Sequence, residues 1–224
     1  LLIASSIAAA TPILYATLGE IITERSGILN LGVEGMMLVG ALSGFALTNL
    51  TGSFIVGLLG AMLCAALLSV IHALLSVTLQ ANQVVSGLGL TIFGIGITGY
   101  LGKSMIGVPA PATLGKLKLP ILSDIPFVGG ALFNHDPMVY LAVLLVPLCY
   151  YFLFHTRSGL HLRVVGDNPA SGDMAGINVS AVRYWATIAG GMFCGLGGAY
   201  ISLVYTPFWT ENMIAGRGWI AIAL

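Results

Sequence analysis

The sequence predicts an all-α, polytopic membrane protein built as a transmembrane helical bundle, and three observations carry that prediction. Of the 224 residues, 58% are hydrophobic and 7% charged, with a mean hydropathy of +1.00. A water-facing domain carries about 25% charged residues, so this chain has too few to cover a solvated surface. The apolar residues fall in runs of about 17 to 25, long enough to cross a bilayer as helices. Between the later runs lies one long polar interruption, His155 to Arg183, with a helix signal of its own.

Taken in order, the runs place spans near 2–20, 33–50, 54–79, 84–102, 138–154 and 183–205, with a seventh starting near 218. Residues 1–154 thus hold about five spans, 155–182 form a polar loop, and 183–224 return to the bilayer. The opening run lacks a basic n-region and leads into Glu20–Glu34 instead of a cleavage site, so it is a span and not a signal peptide. The chain starts without Met and stops inside the fresh run Trp219–Leu224, which predicts that it is most of a longer protein with a truncated C-terminal span. The connection 103–137 carries Pro109, Pro111, Pro120, Pro126 and Pro137 with Gly129 and Gly130, predicting irregular chain with a short surface helix at 127–133.

Helices in lipid associate through small residues that let backbones approach. Gly40 with Gly44, Gly57 with Ala61, and Gly191 with Gly195 have that spacing and mark packed faces, within this chain or against a second one. Gly94-Ile-Gly-Ile-Thr-Gly99 matches a dinucleotide fingerprint by letter, but it lies inside an apolar span with no preceding strand and no acidic partner, and is set aside. Cys64, Cys149 and Cys194 are far apart without metal or redox spacing, as expected of buried thiols. Zero formal charge and scattered basic residues argue against nucleic acid as a partner. Among the histidines, His155 and His161 flank Arg157 without a third ligand, so neither metal nor cofactor is expected.

An ionisable group within an apolar span is costly and usually faces a cavity or the protein interior. Glu34 is the strongest such residue. It follows Asn30 by four positions among Gly27, Gly32 and Gly35, a pattern that predicts a broken helix capped by Asn30, with Glu34 in its first turn near free backbone N–H groups. Half-helix ends of this kind bind polar solutes in transporters, so Asn30 and Glu34 are assigned to a solute pathway; the alternative is that Glu34 only locks the bend. Asn82, Gln83 and Ser86 form a second polar island whose amides and hydroxyl suit a neutral, hydroxyl-rich or nucleobase ligand, or simply make a polar turn. Phe93, with Tyr15 and Phe45, has a ring that stacks on a solute or packs the core. No Lys or Arg falls in the middle of a span, so an uncharged solute is favoured over an anion.

In the polar loop, Asp167 or Asn168 supplies an N-cap, Pro169 the first helical position, and Gly176 the stop, giving a helix of about two turns. So short a helix is unstable alone, because nucleation dominates below about 12 residues. Ala170 and Met174 lie on one face with Ile177 close behind, an apolar patch suited to a groove on another protein.

Two stretches resemble a known family. Gly159-Leu-His-Leu-Arg-Val-Val-Gly-Asp-Asn-Pro-Ala, followed by Ala175-Gly-Ile177, looks like the coupling-helix loop of ABC importer permeases of the ribose, branched-chain amino acid and nucleoside type. Glu24-Arg-Ser-Gly-Ile-Leu-Asn-Leu-Gly-Val-Glu-Gly-Met-Met is similar to a signature of the nucleoside and simple-sugar subgroup. The resemblance spans nearly the whole chain. It implies a multi-pass permease in a bacterial-type inner membrane, importing nucleosides or simple sugars, with branched-chain amino acids as an alternative. A short cytoplasmic coupling helix, comprising Gly166, Asp167, Asn168, Pro169, Ala170, Met174, Gly176 and Ile177, would engage a separate ABC ATPase. A second permease, identical or related, would complete the pore. An extracytoplasmic solute-binding protein would dock on the external 103–137 loop, where Asp124 and Asp136 lie. No P-loop and no nucleophile–base pair occurs, so the chain itself is not expected to be an enzyme. An ion-coupled secondary transporter is the competing reading; it needs acidic sites at membrane depth, and only Glu34 qualifies. Charge does not orient the chain: Arg25, Arg157, Arg163 and Arg183 fall on one side and Lys103, Lys116, Lys118 and Arg217 on the other.

Overall fold

A computed structural model describes residues 2–118 and 133–224; the surface helix expected at 127–133, apart from its last residue Phe133, and Asp124 lie outside them. The helices are α1 Leu2–Glu24, α2 Val33–Thr51, α3 Phe54–Ala73, α4 Gln83–Gly102, α5 Pro137–His155, α6 Arg157–Asp167, α7 Pro169–Met174, α8 Val179–Tyr200 and α9 Arg217–Ala223. Two short antiparallel strands, β1 Leu117–Lys118 and β2 Asn134–His135, close one end. Among the described residues, six helices are long and apolar enough to cross a membrane: α1, α2, α3 extended to Thr78, α4 extended to Met105, α5, and α8 extended to Tyr205. The all-α polytopic bundle expected from composition is the architecture observed.

Local signals explain where these helices start and stop. Asn82 accepts from the amides of Val84 and Val85 to open α4, Asn178 accepts from Ala181 to open α8, and Gly52 ends α2 in the left-handed conformation. Asp136 caps α5 through Met138 and Val139 and accepts a hydrogen bond from the Tyr200 hydroxyl, so it is an enclosed structural group and not a solvated loop charge. The last turns of α3 and α8 are widened, with Leu79 N bonding Leu74 O and Thr206 N bonding Ile201 O across five residues.

The bundle is built around α8 and α2, of which 72% and 67% of the span is buried, against 28–33% for the other four. The contacts are made where side chains are missing. A Cβ added at Gly40 on α2 would lie 2.6 Å from Gly195 Cα, one at Gly195 would lie 2.5 Å from Ala61 O on α3, and one at Gly19 on α1 would lie 2.7 Å from Gly190 O. The small-residue pairs therefore pack within the chain. Gly94, in the discarded fingerprint, sits against Gly35 of α2. Tyr15 and Phe45 are fully buried core residues; the Tyr15 hydroxyl donates to Met138 O.

Two expectations are corrected. The interruption after His155 is not one loop with one short helix: Arg157–Asp167 forms α6, capped by Thr156 through Gly159 N, with Leu162 and Val165 fully buried. The apolar positions are too few for a span, but they are enough for an amphipathic helix lying on the bundle. Arg217 does not lie beyond the bundle but at the first position of α9, where its guanidinium donates to Met213 O and Ile214 O. Between Tyr205 and Gly216 the chain turns back into the protein, and this reversal defeats the simple alternation of spans.

Candidate functional site

Two irregular segments enter the bundle from opposite ends and finish at helix N-termini that touch. Residues 25–32 leave α1 at Glu24 and climb back. Asn30 N donates to Glu20 Oε1 at 3.0 Å, and Glu20 lies four residues before the end of α1, so the return is about 6 Å by that point. From the other end, 206–216 follow α8, seat the fully buried Trp209 against Gly102, and reach Gly216 with φ +86°. A Cβ added at Gly218 would lie 2.6 Å from Glu34 Cα, so the first turns of α2 and α9 are in backbone contact.

Abutting two helix N-termini brings together two positive dipole ends and several unpaired N–H groups. Glu34 answers both. Its Oε1 accepts from Gly216 N at 2.8 Å and its Oε2 from Gly218 N at 2.7 Å, while the residue is only 3% exposed. The sequence placed Glu34 near free N–H groups of its own helix; those it binds belong to α9, 182 and 184 residues away. The expected cap also differs, since Gly32 and not Asn30 is the N-cap of α2, and Asn30 Oδ1 instead accepts from Gly32 N.

Non-helical backbone at membrane depth persists only when its polar groups are satisfied by protein. Along 25–32 several of them are. Leu29 N donates to Gln83 Oε1 at 2.8 Å, His72 Nε2 bonds Leu29 O at 3.2 Å, Thr91 Oγ1 donates to Leu31 O at 3.0 Å, and Arg183 Nε donates to Ser26 O at 3.2 Å. Because a carbonyl only accepts, His72 Nε2 carries the proton, and its Nδ1 accepts from Ser86 Oγ at 3.0 Å. Gly87 lets α4 approach, with an added Cβ 2.7 Å from Leu31 N.

The structure therefore brings Asn30, Glu34, Gln83 and Ser86 together around this segment. Asn82 lies apart as the exposed cap of α4, and Phe93, 51% exposed, faces an apolar hollow of about 520 Å³ with Leu67, Leu68, Ile71 and Ile97. Sequence reasoning missed Glu20, His72, Thr91 and Arg183. A usable signal existed for two of them, because Glu20 and His72 are polar groups inside otherwise apolar spans.

At the end of the bundle where 25–27 turn, α6 and α7 form a compact pair. Asn168 caps α7 by accepting from Ser171 N, and Gly172 faces Val164 and Val165, leaving Asp167, Asn168, Pro169 and Ala170 exposed and Met174 83% exposed. Gly176 closes the helix at φ +77°, and Ile177 is half-buried behind it. Gly166 belongs to the inner face: a Cβ there would fall on the Arg25 carbonyl and 3.3 Å from Gly27 N.

Comparison with known proteins extends this picture. The family described as branched-chain amino acid transport system / permease component matches residues 2–224. The putative glucose ABC transporter permease protein TsgC13 of Haloferax volcanii is 43% identical across 100% of this chain and 69% of its own length. Guanosine ABC transporter permease protein NupQ of Bacillus subtilis is 34% identical across 100% of the chain and 73% of its own length. Nucleoside ABC transporter permease protein NupC of Lactococcus lactis is 33% identical across 100% and 74%. No solved structure matches.

Proposed function

The chain belongs to the permease-component family of branched-chain amino acid transport systems, and from that premise we propose that it is the membrane-spanning subunit of an ABC importer for an uncharged polar solute, a nucleoside or simple sugar. The relatives are named for glucose, guanosine and nucleosides, which favours these over the amino acids of the wider family name. A carboxylate or other anionic group on the solute would need a cation along its path; the guanidinium groups of Arg217 and Arg183 that reach into the bundle are already committed, the first to Met213 O and Ile214 O and the second to Ser26 O. The solute runs beside α4, where Asn82 and Phe93 are exposed, while Asn30, Glu34, Gln83 and Ser86 act from behind by holding the helix ends in place. A second permease faces this side and completes the path.

ATP is hydrolysed by a separate cytoplasmic ATPase that grips α7. The observation that carries this assignment is the exposure of Ala170 and Met174 on a helix of six residues that is seated on α6 through its one buried residue, Gly172. An amphipathic helix too short to persist in water, but anchored along one side, presents a small rigid knob to a groove. The α6–α7 end then faces the cytoplasm, in a bacterial-type inner membrane, and the opposite end, with β1, β2 and the 103–137 connection, receives an external solute-binding protein.

The test is isolation of the complex through a tag on this chain, followed by uptake into liposomes of a panel including guanosine, uridine, glucose and ribose. A stoichiometric ATPase and ATP-dependent uptake of one panel member are expected. Ala170→Asp or Met174→Asp should remove the ATPase while leaving the chain in the membrane. Normal complex yield from both variants would defeat the docking assignment, and uptake driven by an ion gradient without ATP would return the secondary-transporter reading.

A further inference from the structure

Resting on the docking role of α7, we propose that the contact of Gly166 with Arg25–Gly27 is the joint that carries movement of the α6–α7 pair to the helix ends meeting at Glu34. The argument is one of stiffness, link by link. Gly172 seats α7 on Val164 and Val165, and Asn168 N bonds Val164 O, so α6 and α7 move as one piece. The last turn of α6 then meets the start of segment 25–32 backbone to backbone: an added Cβ at Gly166 has no room above the Arg25 carbonyl, and one at Gly27 would lie 3.4 Å from Gly166 Cα. Gly27 is held at φ +84°, a conformation that few other residues adopt, so a turn of this shape requires glycine there. Arg183 closes the opposite side, with Nε on Ser26 O and Nη2 3.3 Å from the Cβ position of Gly27.

Beyond the joint, the segment cannot flex independently, because Glu20, His72, Gln83 and Thr91 hold Leu29, Asn30 and Leu31. It ends at the α2 N-terminus, where Glu34 grips α9 through Gly216 and Gly218. A push on α7 thus meets packed backbone and short hydrogen bonds all the way to the junction of the two helix ends. Physical connection alone does not establish energetic coupling, so the joint has to be tested by whether hydrolysis and transport come apart.

Four variants, Gly166→Ala, Arg183→Met, Arg183→Lys and Val143→Ala, are compared with wild type as isolated complexes in liposomes, using guanosine or glucose, whichever wild type takes up. Val143, 59% exposed on α5 and away from the joint, is the control. With Gly166→Ala and Arg183→Met, the ATPase should remain bound and active while solute carried per ATP falls roughly two- to thirtyfold, the range for coupling residues. Arg183→Lys keeps a donor for Ser26 O and should recover part of the loss. Unchanged solute per ATP in both Gly166→Ala and Arg183→Met overturns the proposal. So does loss of the ATPase from both, since the contact would then serve assembly. A wild-type complex without any ATPase removes the importer reading itself, a different failure.

Discussion

The two irregular segments that enter the bundle solve the same problem in unequal ways. Both leave the end of a long helix, α1 or α8, and both finish at a glycine that opens a helix, Gly32 or Gly216. Segment 25–32 is held by side chains from four neighbours: Glu20 of α1, His72 of α3, Gln83 and Thr91 of α4, and Arg183 of α8. Segment 206–216 relies largely on itself, through Thr206 N to Ile201 O, Phe208 N to Thr206 O, Ala215 N to Asn212 O and the Arg217 side chain. Its foreign supports include backbone bridges from Trp209 to Ile106 and from Phe208 to Pro109, the Ala110 N bond to Pro207 O, the seat of Trp209 on Gly102, and, as its side-chain clamp, the two bonds to Glu34. Many weak clamps tolerate the loss of one. A single carboxylate does not.

The sharpest way to break that contrast is Glu34→Ala. It strands two buried N–H donors at about 1 to 3 kcal/mol each, so a cost of about 2 to 6 kcal/mol is expected, with loss of uptake. Unfolding in detergent and liposome uptake measure the two effects; a variant no worse than any single change in the other segment would end the argument for one dominant pin. Gly218→Leu attacks the same contact sterically, since its Cβ alone would sit 2.6 Å from Glu34 Cα, and should abolish uptake with the chain still inserted.

Smaller effects belong to the well-clamped segment. His72→Phe removes the donor to Leu29 O and the acceptor for Ser86, costing about 1 to 3 kcal/mol, but uptake should persist because Glu20, Gln83 and Thr91 remain. Abolished uptake there would show that the clamps are not redundant. The smallest change is Asn82→Ala, which loses one helix cap at about 1 kcal/mol and should shift the unfolding midpoint slightly. A large rise in the solute concentration needed for half-maximal uptake, with stability otherwise kept, would instead identify Asn82 as a solute contact.

How much of this was legible beforehand follows from the range over which each signal acts. Span positions were readable because bilayer thickness imposes a length on every apolar run. The α7 helix was readable because its cap, proline and closing glycine are local, and the choice between Asp167 and Asn168 fell to Asn168. Glu34 stood out as a carboxylate in an apolar span, yet its partners did not, since nothing local ties residue 34 to residues 216 and 218. The return of 206–216 into the bundle was hidden for the same reason: Trp209, Met213 and Ile214 are scattered apolar residues that acquire meaning only when α4 and α2 surround them. Amphipathic α6 was overlooked because its hydropathy is low, although Thr156 and the buried Leu162 and Val165 were in view.

The bare backbone contacts along α8 carry a consequence for how such a protein changes over generations. A Cβ added at Gly190, Gly191, Gly195, Gly197 or Gly198 would in each case lie within 3.0 Å of a backbone carbonyl of a neighbouring helix, which cannot swing aside as a side-chain tip can. A saturation library scored by growth on the carried solute should therefore show this one helix frozen at five positions while the outward face of α5, where Val143, Leu144 and Leu148 are exposed, drifts freely. The central spindle would be the slow clock of the molecule, and its rim the fast one.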